Sequence, residues 1–138
     1  MSLTHNALLQ RIHQHQHLSD LRNKLLRLHK VLLDAERIAY EQVSGRVSSG
    51  EFLQLVINHE QFAWLHRISE FVVQIDEILT ANQPILVDDV QNLIIDARTL
   101  LSPSEVGNTF ARKYYAALQN EPSVILAHAE VSELLTSK

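Results

Sequence analysis

The chain has no cysteine, which excludes disulfides, thiolate metal sites and thiol nucleophiles. It has only three glycines and three prolines, so few positions break a helix, and nearly half of its residues (46%) are apolar. No apolar run approaches the length of about 18 residues that a membrane span needs. The opening Met1-Ser2-Leu3-Thr4-His5-Asn6 lacks the basic-then-apolar order of a signal peptide. Enzyme signatures are missing as well: there is no glycine-rich phosphate loop and no His-Glu-x-x-His. These absences lead to the expectation of a soluble, cytoplasmic, non-enzymatic protein with no cofactor and no membrane partner.

With 138 residues the chain is sized for one domain. Such a domain buries roughly 68% of its unfolded surface, enough for a core without staples. The net charge of −4 is unevenly distributed. Residues 11–37 carry six basic and three acidic groups, a net +3, which leaves −7 for the rest. Complementary packing inside one fold accounts for this asymmetry, and an acidic whole speaks against a nucleic-acid partner.

A heptad stripe, Leu18, Leu21, Leu25, Leu28, Leu32, Ala35 and Ala39, alternates spacings of three and four without a miss. This is the seam of a helix that packs lengthwise against other helices. It predicts a helix from a cap at Ser19 or Asp20 to about Val43, with Gly45 as the left-handed residue that ends it. Residues 1–17, with the run His13-Gln14-His15-Gln16-His17, read as a flexible or loosely packed extension of a single domain over 18–138. Ser48-Ser49-Gly50-Glu51 reads as a capping box, and Asn58-His59-Glu60 as a slip in the helical pattern. Trp64, Ile68, Phe71, Ile75 and Ile78 form the next stripe. Further helices are expected after Asp88 as a cap, after a second capping box at Ser102-Pro103-Ser104-Glu105, and from Pro122. The fold expected is an all-α bundle of five or six helices with short connections.

The segments Ser48–Leu55 and Phe62–Leu65, with Ala127–Val131 near the end, resemble a family of small uncharacterised bacterial all-helical proteins. The resemblance covers roughly residues 28–135 and rests on helix-packing positions. It implies a bacterial source, but no activity and no site residues. The His59-Glu60 pair departs from an Asp-Pro in that pattern, so the helix break there is less enforced.

Three polar residues, Arg22, His29 and Glu36, interrupt the apolar arc at intervals of seven. Charged groups beside a buried seam must be paired, metal-bound or near water. In one reading they set a homodimer through residues 18–43, with Leu25 and Leu32 at the interface. His29 then lies on an antiparallel two-fold axis, and Arg22 faces Glu36 of the second copy. In the alternative reading His29 and Glu36 join His128 of the last helix as a metal or small-ligand site. A spacing of seven is unlike the i,i+3 or i,i+4 pairs of bundle metal motifs, and satisfied hydrogen bonds in the core are the simpler account. His59, His66 and Glu70 make a second possible set, but His66 and Glu70 fall opposite the Trp64 stripe, where a solvated pair is expected. The His13/His15/His17 run offers adventitious metal binding if extended.

Overall fold

The computed structural model describes the backbone of residues 2–136 and the side chains of residues 5–136. Residues 1, 137 and 138 of the spans expected above therefore lie outside the described residues. Among those described there are six helices and no strand: α1 (Ser2–Ser44), α2 (Ser49–Asn58), α3 (His66–Thr80), α4 (Val87–Leu100), α5 (Thr109–Asn120) and α6 (Pro122–Thr136). A short 3-10 segment, Glu60–Leu65, joins α2 to α3. The chain is an all-α bundle, as the periodicity predicts.

Helix α1 is the axis, and α6 and α3 pack most extensively along it. Leu18, Leu21, Leu25 and Leu28 are 0% exposed and Leu32 is 1% exposed, so the seam is filled by this chain's own helices. Burying five leucines contributes on the order of 10 kcal/mol. The stripe then fades, with Ala35 half-buried and Ala39 exposed. From there α1 packs through Arg37 and Tyr40 instead. The Arg37 guanidinium lies 4.6 Å from the centre of the Phe52 ring and donates to the Val47 carbonyl at 2.9 Å. The Tyr40 ring meets His59 edge-on at 5.4 Å.

Helix α1 does not begin at Ser19 or Asp20 as expected. It runs unbroken from Ser2, because nothing between there and Ser44 is glycine or proline, and Asp20 accepts from Gln16 at 2.9 Å one turn back. The core-facing positions upstream of Leu18 are Gln14, Arg11 and Ala7, so the first turns are helical without joining the core.

Two signals end α1 and start α2 as read from the sequence. Gly45 takes φ +87° and its N–H reaches the Glu41 carbonyl at 2.9 Å. Ser48 and Glu51 then form a reciprocal capping box. The slip at His59 is a true break: its ring Nδ1 accepts from the Gln61 N–H at 3.0 Å and starts the 3-10 segment. Two other starts differ from expectation. Helix α4 is capped by Leu86 rather than Asp88, which lies with Asp89 in the first turn, where the helix dipole favours negative charge. The proposed box at Ser102–Glu105 is not helical; Ser104 Oγ accepts from the Val106 N–H at 3.2 Å in a turn, and Asn108 caps α5 instead.

Candidate functional site

The polar row of α1 is engaged within the chain. Arg22 pairs with Asp76 of α3. Glu36 accepts from the Gln61 side chain at 2.9 Å, and the same amide also reaches the Glu36 carbonyl at 3.2 Å. His29 is held below its ordinary value of 6.5, by burial first and by neighbouring His66 second. Arg22 and Glu36 of the expected two-copy pairing thus both have partners in their own bundle. Leu25 and Leu32, expected at the interface, are buried in the core of one chain, where α3 and α6 pack along α1. The basic character of α1 finds its counterpart in the same way, with Lys24 and Arg27 at 3.7 and 3.5 Å from Glu130 of α6.

His128 is not brought to His29 or Glu36. Its Nδ1 lies 2.6 Å from the Tyr114 hydroxyl and its Nε2 lies 3.3 Å from Ser132 Oγ. Tyr114 is 0% exposed and has no other acceptor among the described residues, so its O–H donates to Nδ1 and the proton of the neutral ring sits on Nε2. Burial keeps that ring neutral by lowering its pKa, and burial raises the pKa of Tyr114. An Nε2 that carries a proton donates to Ser132 and cannot accept one from it. The row Tyr114–His128–Ser132 thus resembles a nucleophile–base pair in spacing only; it satisfies polar atoms at the edge of the core.

No group of three or more His, Asp or Glu side chains stands together among the described residues. His66 is tied to the Val56 carbonyl at 2.8 Å, and Glu70 lines a separate groove with Gln74 and Asp96. Because residues 13–17 are helical rather than extended, His13 and His17 share a face and His15 does not. The first two line a cleft of about 420 Å³ against Val87, Ile94, Ile95 and Arg98 of α4, while His15 faces the turn at Ala81–Ile85. His17 Nε2 is buried without a hydrogen-bond partner among the described residues.

One arrangement was not legible from the sequence. Trp64 of the 3-10 segment and Phe110 of α5 meet edge-to-face at 5.2 Å, forming the wall of a groove of about 450 Å³. Arg67 of α3 stands 5.9 Å from the centre of the Phe110 ring, and Lys113, Thr109 and Glu60 complete the rim. Arg67 and Lys113 form no ion pair among the described residues. Trp64 is 6% exposed, and its indole N–H has no acceptor among the described residues. Two cations separated by 46 positions in the chain, with an aromatic ring between them, give no periodic signal; only the fold unites them.

No protein-family model, curated protein or solved structure matches the chain.

Proposed function

We propose that the chain is a non-enzymatic interaction protein that self-associates as a homodimer through the outward face of the N-terminal third of α1. The observation that carries this reading is the placement of Leu8, Leu9 and Ile12, which are 54%, 51% and 57% exposed on α1. At 100° per residue they centre about 165° away from the Leu18–Leu32 stripe. No helix of the same chain can cover both faces. A short helix in water draws most of its stability from packing an apolar face, which is what this segment lacks within one chain.

A second copy is the occupant best suited to the patch. An isologous contact places Leu8, Leu9 and Ile12 against themselves, with Gln16 as a polar flank. The described side chains from residue 5 to Ser19 include no acidic group, only Arg11 and four histidines, so the face is nearly neutral at pH 7 and does not repel its copy. The patch is small compared with a standard interface, so association in the micromolar range is expected. No helix among the described residues is long and apolar enough to cross a membrane, which supports a protein rather than a bilayer core as the occupant.

Sedimentation equilibrium at about 100 µM, well above a micromolar dissociation constant, tests the reading. The wild-type chain should approach twice its monomer mass of 15.8 kDa, and Leu8→Glu with Ile12→Glu should return it to the monomer with its helical circular dichroism retained. A wild-type monomer at that concentration, or a dimer indifferent to both charges, overturns it.

A further inference from the structure

We propose that the cleft between the first third of α1 and α4 binds an aliphatic carboxylate, with Arg98 holding the head group and Val87, Ile94 and Ile95 holding the alkyl body. The volume of about 420 Å³ falls within the range of small-molecule sites. One face of α4 supplies the wall, because Val87, Gln91, Ile94, Ile95 and Arg98 recur at helical spacing. The helix rises about 16 Å from Val87 to Arg98, so apolar surface and cation lie along one groove.

The apolar wall is open to a ligand. Val87 and Ile95 are 40% and 55% exposed, and Ile94 is half-buried beside them. A chain of methylenes laid along them removes that surface from water.

The head-group end selects a carboxylate. The Nε and Nη2 of Arg98 both donate to the Leu135 carbonyl near the end of α6, Nε at 3.1 Å. That contact fixes the plane of the guanidinium and occupies one edge of it. The other edge, between Nη1 and Nη2, keeps two parallel N–H donors without an acceptor among the described residues. Such a fork takes both oxygens of a carboxylate. Arg98 forms no ion pair among the described residues, and no acidic side chain lines the cleft. Asp96 of the same helix lines a different groove, with Glu70. His13 and Gln91 add further N–H donors to the lining. An amine head group meets no anion here, and an alcohol occupies only part of the fork.

Isothermal titration calorimetry with sodium octanoate should show saturable, one-to-one binding tighter than about 1 mM. Loss of the charged fork in Arg98→Gln should raise the dissociation constant roughly tenfold. Ile95→Ser should raise it about threefold. A fully buried methylene tightens binding roughly fourfold, so on this half-open wall each one added between butanoate and octanoate should tighten it about twofold. Octylammonium and octanol should each bind at least about tenfold more weakly than octanoate. His15→Gln, on the side of the Ala81–Ile85 turn, and Leu8→Ala with Ile12→Ala, on the outer face of α1, should change nothing. The exposed Ile95 can be replaced without a change in melting temperature. Arg98→Gln releases the end of α6; should it melt early, the chain-length series and the octylammonium comparison decide on the wild-type chain alone. Absence of saturable octanoate binding, octylammonium or octanol binding as tightly, indifference to chain length, or a folded Arg98→Gln variant that binds like the wild type would each overturn the proposal.

Discussion

Replacing Tyr114 with phenylalanine separates a structural role for the Tyr114–His128–Ser132 row from a chemical one. The substitution removes one oxygen and leaves the ring, which is 0% exposed and stacked at 5.5 Å on Phe110. It therefore creates almost no cavity, and the change in stability reports on the hydrogen bond to His128 Nδ1 at 2.6 Å. A neutral hydrogen bond contributes about 1 kcal/mol net, and stranding its partner adds up to about 2 more. His128 is half-buried and water can reach part of that ring, so a loss of about 1–2 kcal/mol is expected. Urea unfolding followed by Trp64 emission measures it. In a cycle with His128→Leu, the double variant should lose about 1 kcal/mol less than the two single changes together. A Tyr114→Phe variant as stable as wild type, or strict additivity with His128→Leu, would refute a stabilising Tyr114–His128 hydrogen bond.

Other perturbations follow from the same geometry. Leu25→Ala opens a cavity in the core and should cost about 2–5 kcal/mol in urea unfolding, whereas Leu8→Ala on the outer face of α1 should cost the monomer less than about 0.5 kcal/mol. His29 and His128 both have folded pKa values below the unfolded 6.5, so the folded state disfavours their protonation. Their contribution is complete above pH 6.5 and is lost as the pH falls from there through the folded values; melting temperatures should therefore rise with pH across that window, less steeply in His29→Gln. Ser48→Ala removes half of a capping box and should lower stability by about 1 kcal/mol by the same urea assay.

How far the fold could be read in advance depends on which residues carried a local signal. The leucine stripe, Gly45 and the Ser48–Glu51 box each name a conformation through their own chemistry, and each appears where its chemistry demands. Ser102–Glu105 carries the same letters as a box but forms a turn, because Gly107 and Asn108 follow. A Cβ at Gly107 would lie 3.0 Å from that of Ala111, and Asn108 offers the better cap one residue before α5. The first turns of α1 carry no such signal, because a heptad seam measures burial rather than helicity: Gln14 and Arg11 end the seam without ending the helix. The fate of Arg22, His29 and Glu36 depended on Asp76, Gln61 and His66, which lie 25 or more positions away, and a spacing of seven cannot identify partners across the fold.

Helix α1 is synthesised well before α6, its most extensive partner. Between Leu32 and Pro122 lie roughly 90 residues, which take about 5–20 s to translate at ordinary rates. Throughout that interval five leucines emerge with one flank uncovered, and closing the bundle joins the two ends of the chain. Stalled synthesis or loss of α6 would therefore leave a sticky intermediate rather than a smaller folded protein. The leucine seam is covered on both flanks only when the 15 residues of α6 arrive.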